Sequence, residues 1–450
     1  MTKHASLFLS GLMTLGCGDE PETANDTDAT TTEASSSSSA AIADDTSSGL
    51  DGSGSGSSSS TTGPMPCTMD EECTEPEAPF CGTEGECGTC DQTVDGDMAC
   101  AGADELLPLC VGEACVACRD GATEACDTQL LVCDVETNTC VPCSEHDDCA
   151  VGACELSVGR CFPSDSVQVA VDGDGGQDET SLVAALGMVP DGGYGVIRMH
   201  ELDLANPYTG GLLVDGGKTI ALLAAPDESP IIQGTGGNPG VRVEAAGTIL
   251  YADGLSIAGN TGGLGVNIDE AFAWVDRSRI VQNSGGGILA SNGAELTVRN
   301  CFVGGSVNGV SALDIDGSAA TLSYSTVIAG FGGAAVALSC SPGSTVGVAD
   351  SIVLIESANE PVSCAEATFD RSASEVDLPG ATNVNVGSFD DTSTWFVNVS
   401  GGDFSLTTSG DETFIDIAQW NEGDSSTDID GDPRPTTDGA PDYAGADVPR

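Results

Sequence analysis

Hydrophobic positions in the second half of the chain recur with a period longer than any single helix or strand. A five-residue block appears there as DGLSI (from Asp253), DRSRI (Asp276), RNCFV (Arg299), SYSTV (Ser323) and ADSIV (Ala349). Successive blocks start 23, 23, 24 and 26 residues apart. The last position of each block is β-branched: Ile257, Ile280, Val303, Val327 and Val353. Two residues earlier stand Leu255, Ser278, Cys301, Ser325 and Ser351. Five earlier come Ala252, Val275, Val298, Leu322 and Val348, and seven earlier Leu250, Ala273, Leu296, Ala320 and Val346. Spacing of two marks one face of a strand. The change of parity between the two pairs of columns marks a bend between two strands.

A third alternating run precedes these two: Val241 and Val243, Val266 and Ile268, Leu313 and Ile315, Val336 and Leu338. Three short strands per period, with Gly and Asn at the corners, predict an all-β fold, the right-handed parallel β-helix. Stacking then supplies a core that no single coil could bury. At about 4.8 Å per coil, roughly ten coils over residues 164–415 make a rod on the order of 50 Å long. A β-sandwich would not keep one aliphatic column in register through five units. The open end of such a rod needs a cover. The run Leu182, Val183, Ala185, Leu186 and Val189 after Thr180 or Ser181 predicts a short amphipathic helix, and this helix or the strand after it is expected to cap the N-terminal end.

Sixteen of the twenty Cys lie ahead of the β-helix, in a region spanning residues 64–163. They divide into four units: Cys67, Cys73, Cys81 and Cys87; Cys90, Cys100, Cys110 and Cys115; Cys118, Cys126, Cys133 and Cys140; Cys143, Cys149, Cys154 and Cys161. Each unit meets the next across C-x-x-C. An even, periodic set reads as a disulfide framework for small units that lack a large core. Four Cys allow three pairings per unit, and spacing does not choose among them. Zinc could use the C-x-x-C pairs but would leave the other Cys over. In the β-helix, Cys340 and Cys364 both end a similar triplet (Leu338-Ser339-Cys340, Val362-Ser363-Cys364) and stand one coil apart, which places them within disulfide reach. Cys301 shares the inward column with Ser278 and Ser325 and is expected to be a buried thiol.

The first residues, MTKHASLFLSGLMTLGCGDE, carry a short polar start and an apolar stretch of signal-peptide length. Thr14-Leu15-Gly16-Cys17 resembles a bacterial lipobox, with Thr14 where that pattern prefers Leu. The resemblance implies residues 1–17 as a lipoprotein signal ending at a lipidated Cys17, membrane attachment through that lipid, and a place at the outer membrane or cell surface. Residues 18–63 are rich in Ser, Thr and Asp and contain no Lys or Arg. Such a segment cannot bury enough apolar surface to order itself, and as a coil would span about 40 Å. No stretch is long and apolar enough for a transmembrane helix.

Asp plus Glu number 71 against 12 Lys plus Arg, a formal charge of −59. That field disfavours nucleic acid and anionic membrane as partners and favours cations. The expected assembly is a monomer.

The repeat is similar to that of pectate-lyase-like β-helix proteins. The closing DIDGDPRP and GAPDYAGAD (Asp428 to Asp447), within the acidic segment 416–450, are similar to a D-x-D-G-x-P-R…D-x-G-A signature of exported bacterial members; Asp442-Tyr443-Ala444-Gly445-Ala446 is one residue longer than that pattern. The resemblance implies the fold, and admits a polysaccharide lyase or hydrolase. A lyase needs a basic residue beside a uronate and calcium held by clustered Asp. Arg277, Arg279 and Arg299 are the only basic cluster, and stacking predicts that Asp276 and Arg299 simply pair at the surface. The hydrolases of this fold carry N-T-D, D-D, G-H-G and R-I-K motifs. Asn260-Thr261 is followed by Gly262, Asp390-Asp391 lies far toward the C-terminus, and the other two motifs are missing. The three His (His4, His146, His200) form no cluster in sequence. No cofactor is expected unless calcium binds: Asp172, Asp174 and Asp178, and Asp428, Asp430 and Asp432, have part of a calcium-loop spacing. The leading expectation is a non-catalytic, surface-anchored lipoprotein that displays the β-helix to glycan or another cell-surface component. The alternatives are a polysaccharide-degrading enzyme and a purely structural stalk.

Overall fold

All but the last parallel strand pairing in the computed structural model joins a strand to its counterpart one coil later; the last, Ala373–Ser374 with Val384–Asn385, closes over a shorter loop. The structure describes residues 65–74, 77–202, 206–304, 309–330, 335–355, 360–389 and 394–449. The segment 1–17 with Cys17, the linker 18–63 and Asp390-Asp391 lie outside the described residues. The strands form a parallel β-solenoid of about 8 turns. Its first sheet has nine strands, from Val167–Val171 to Thr368–Asp370. Its second also has nine, from Tyr208–Thr209 to Val384–Asn385, and its third has seven, from Leu212–Val214 to Val362–Ser363.

The aliphatic columns are the rungs. In the second sheet Ile280 pairs with Val303, Val303 with Val327, and Val327 with Val353. In the first sheet Ala252, Val275, Val298, Leu322 and Val348 follow one another. All belong to one continuous interior cluster. The third sheet departs from the expected register. Leu338 and Cys340, rather than Val336 and Leu338, stand opposite Leu313 and Ile315. The alternation at 336, 338 and 340 continues on one face, so periodicity alone left a two-residue ambiguity.

The parity change has a specific cause. Between the first and second sheets sits a single left-handed residue: Gly254 (φ 72°), Arg277 (41°), Asn300 (49°), Tyr324 (46°), Asp350 (52°) and Arg371 (46°). Only one of these is Gly, so the surrounding coils must hold a conformation that side chains disfavour. The next residue supplies the means. Ser278 Oγ accepts the Leu255 N–H at 3.1 Å and donates to the Asp276 carbonyl at 2.7 Å. Ser325 and Ser351 repeat the pattern with Cys301 N–H and Ser325 N–H. A small hydroxyl therefore satisfies buried amides that a sharp corner would orphan.

The N-terminal end is closed by the helix Leu182–Met188. Ser181 caps it by accepting the Ala184 N–H, and Leu182, Ala185 and Leu186 join the interior cluster.

The Cys-rich region precedes this end. Its four units share one connectivity, first to third and second to fourth: Cys67–Cys81 and Cys73–Cys87, Cys90–Cys110 and Cys100–Cys115, Cys118–Cys133 and Cys126–Cys140, Cys143–Cys154 and Cys149–Cys161. In each unit the third and fourth Cys face each other across a two-stranded antiparallel hairpin. Every sulfur that clusters closely enough for a metal is thus already in a disulfide. Cys340 and Cys364 form a ninth disulfide across adjacent coils, with Cα atoms 4.7 Å apart, and Cys301 is a buried thiol.

The run of coils ends before residue 415. Val384–Asn385 is the last strand on the solenoid, and about 8 turns replace the roughly ten expected. Residues 394–449 instead form two antiparallel hairpins around the helix Thr408–Phe414. The physical reason is side-chain size. Phe389, Trp395, Phe396, Phe404 and Phe414 stack in a cluster of their own, whereas the coil interior is filled mainly by small and branched aliphatics. The cluster lies on the outer face of the second sheet, over Val281, Phe302, Ile328, Ile352 and Leu354. Phe302, outward-facing in the repeat, is therefore 0 % exposed.

Candidate functional site

Two of the solenoid's outer faces are covered, and their shared corner carries a cluster of ion pairs. The fourth Cys unit lies on the first sheet, where Ala153 and Phe162 pack with Val196, Ala221, Leu223 and Tyr251. The Ser157 hydroxyl bonds the Tyr251 hydroxyl at 2.8 Å. The C-terminal segment lies on the second sheet. Its buried Arg434 donates to Asp442 Oδ2 at 3.0 Å, to the Gly445 carbonyl at 2.9 Å and to Asn300 Oδ1 at 3.3 Å. The same guanidinium stacks 4.2 Å from the centre of the Tyr324 ring. The P-R of the closing signature is a clasp that holds the segment against two corner residues, Asn300 and Tyr324.

Between these two covers sit the three arginines. Arg277 makes a two-pronged contact with Asp253, its Nε 2.9 Å from Oδ1, and approaches Glu145 of the fourth Cys unit at 3.4 Å. Arg299 pairs with Asp276 through Nε at 2.9 Å and a second, shorter contact, and lies 5.6 Å from the Trp274 ring centre. The expected surface contact between Asp276 and Arg299 is in fact a buried one: the two residues are 1 % and 9 % exposed. The Cys unit that excludes water from it could not be foreseen from the repeat. Arg279 pairs with Asp430 of the C-terminal loop and lies over the Phe302 ring. None of the three is left without a carboxylate partner.

Burial acts against the charges here, and the ion pairs answer it. Burial pulls the Arg277 guanidinium down, but Asp253, Asp276 and Glu145 together outweigh it and hold its pKa above the ordinary range. Burial pushes the Glu145 carboxyl up against the pull of Arg277 and Arg299. The same burial lowers His146, which keeps it neutral. Its Nδ1 accepts the Cys154 N–H at 3.0 Å, so the proton sits on Nε2, which has no hydrogen-bond partner.

Beside this network opens a cleft of about 510 Å³. Its walls come from three segments far apart in sequence: His146 and Asp147, the turn Ala225 to Ser229 with Arg198, and the loop Ile429 to Gly431. Asp253 and Arg277 form part of the floor. Glu228 is held by His200 Nδ1 at 3.1 Å and by the Glu201 N–H. The cleft offers guanidinium donors beside carboxylate acceptors on a lining more polar than apolar, suited to a polyhydroxylated ligand. Sequence gave no signal for it, because no one segment contributes more than one wall.

The two calcium-like loops have other engagements. Asp428 is fully buried; its Oδ1 accepts the N–H groups of Asp430 (2.9 Å) and Asp432 (2.7 Å), and its Oδ2 that of Val448 (2.8 Å). Asp430 turns instead to Arg279. The Asp428 carboxylate thus orders the backbone of its own loop and of the segment at Val448. Asp172 and Asp178 each accept a backbone N–H, from Asp174 and Ala170, in an exposed turn.

Comparison with known proteins adds little. Residues 51–167 are similar to a family of unknown function (DUF8331), a match that ends where the first solenoid strand begins. No curated protein matches the chain. The density of disulfides points to an exported protein in an oxidising compartment. Among the described residues no helix is long and apolar enough to cross a membrane.

Proposed function

We propose that the chain is a non-catalytic, surface-anchored binding protein whose solenoid presents the corner cleft to glycan. The observation that carries this reading is the lining of the cleft, where Arg198 and Arg277 stand beside Asp227, Glu228, Asp253 and Asp430. Paired donors and acceptors suit vicinal hydroxyls, as in other polar ligand sites. A lyase would need a basic residue held ready for proton abstraction. Arg277, Arg279 and Arg299 each hold a carboxylate instead, which favours binding over turnover. Cys17 is the proposed lipid anchor and residues 18–63 the spacer that lifts the folded part from the outer membrane or cell surface.

A glycan array probed with the full chain, combined with an absorbance assay for unsaturated uronate products, tests the reading. Binding that weakens about tenfold in Arg198→Ala, without product formation, is expected. Turnover of any polysaccharide that is abolished by Arg279→Ala would overturn the non-catalytic reading. An array with no bound glycan would leave the structural stalk as the better account.

A further inference from the structure

The junction between the third and fourth Cys units holds a second concavity, of about 390 Å³, which shares only Asp147 with the corner cleft. Its floor is apolar: Leu130, Leu131, Val132, Val135 and Val151. Val135 remains 55 % exposed, although the protein has a large core available for aliphatic residues. The floor is held rigidly. Leu130 adopts a left-handed backbone (φ 59°), and its carbonyl accepts the Cys161 N–H at 2.7 Å, which ties one unit to the next. A bulky residue kept in that region needs surrounding structure to enforce it, and such strain concentrates at binding sites.

The rim is uniformly acidic. Asp120, Asp127, Asp147 and Asp148 surround the floor. Among the described residues none of the four is in an ion pair, and the nearby Arg119 is committed to Asp97 at 2.8 Å. Asp127 accepts the Thr123 hydroxyl and Asp148 the N–H groups of Ser144 and Glu145, so both carboxylates are locally oriented. An apolar floor ringed by uncompensated carboxylates calls for an occupant with the reverse pattern.

We infer that this concavity docks a basic peptide segment of a partner protein, with an aliphatic or aromatic side chain on the floor and flanking Lys or Arg at the rim. Charge complementarity selects the class. A chain of formal charge −59 repels anionic membranes and nucleic acids and steers cationic partners toward itself. The floor adds what a diffuse field cannot, a preference for an apolar anchor between the cations.

Fluorescence anisotropy with the full chain tests this, using a labelled peptide of alternating Lys and Leu. Two companion peptides replace every Leu by Gln or every Lys by Glu. The Lys–Leu peptide is expected to bind, and each companion at least about tenfold more weakly. Asp120→Asn/Asp127→Asn and, separately, Val135→Ser should each weaken the Lys–Leu peptide by roughly tenfold. Asp314→Asn/Asp316→Asn removes the same charge from the third sheet and should leave binding unchanged. Equal affinity for the Lys–Gln peptide, or equal weakening by the third-sheet pair, would show only a diffuse charge effect and overturn the inference. Asp147, shared with the corner cleft, is left intact, so the outcome stands apart from any glycan result.

Discussion

Arg434 offers the sharpest test of how the C-terminal segment is held. Its side chain is 0 % exposed and that of its partner Asp442 1 %. Replacing it with Met keeps most of the volume and removes the charge. Asp442 would then keep only the Tyr443 N–H at 2.8 Å as a partner, a buried carboxylate without its cation. The Gly445 carbonyl and Asn300 Oδ1 would each lose a donor. Breaking one side of a buried pair costs about 3–5 kcal/mol. The expected result for Arg434→Met is a loss of that size in urea unfolding, accompanied by dye binding to the newly uncovered Phe302, Ile328 and Leu354. Trp395 and Trp420 report on the segment itself, while Trp274 sits on the first sheet. Arg434→Met/Asp442→Leu should recover most of the loss, because a buried pair replaced whole by apolar groups is often close to neutral. A loss below about 1 kcal/mol, or a double variant no better than the single, would refute the account.

Other expectations follow from the same physical terms. Cys340→Ser/Cys364→Ser opens a loop of sequence separation 24 and should lower stability by up to about 3–4 kcal/mol on loop-closure entropy; an unchanged urea midpoint would argue against it. Burial pushes the Asp447 carboxyl from 3.8 up to about 6, so its contribution is fully present below pH 3.8 and lost as pH rises through 6. Asp447→Asn should therefore stabilise the protein at pH 7 by on the order of 1–3 kcal/mol, and much less at pH 4, as read by paired urea titrations; equal effects at both pH values would contradict the assignment. Leu186→Asp places a charge in the cap of the solenoid, where Leu186 is 5 % exposed. It should cost several kcal/mol and lower solubility, and unchanged melting would show that the helix does not cap the rod.

Much of the solenoid was legible because each coil repeats the same demand. Ile257, Ile280 and Val303 had to be apolar at a fixed interval, so the inward columns and the bend could be read directly. The pairing of Cys340 with Cys364 followed from the same period. The two-residue slip at Leu338 and the early end at Asn385 were not readable in that way. Alternation alone cannot choose between positions of equal parity, and a coil count cannot see where aromatic residues form a separate cluster. The Cys repeats showed their division into four units, but their first-to-third, second-to-fourth pairing depends on the hairpin that brings third and fourth Cys side by side.

The candidate site lay almost entirely beyond the sequence. Arg277, Arg279 and Arg299 could be named as a cluster, and Asp276 as the partner of Arg299. The contacts of Arg277 with Glu145 and of Arg279 with Asp430 join residues more than a hundred positions apart. What the sequence alone determined is the solenoid, since its stabilisation comes from local, repeated burial along one axis. Which outer faces meet solvent was decided only in three dimensions. The fourth Cys unit and the Arg434 clasp each lie across a sheet, and their single, non-repeated contacts turn outward columns into buried ion pairs and leave one polar cleft between them.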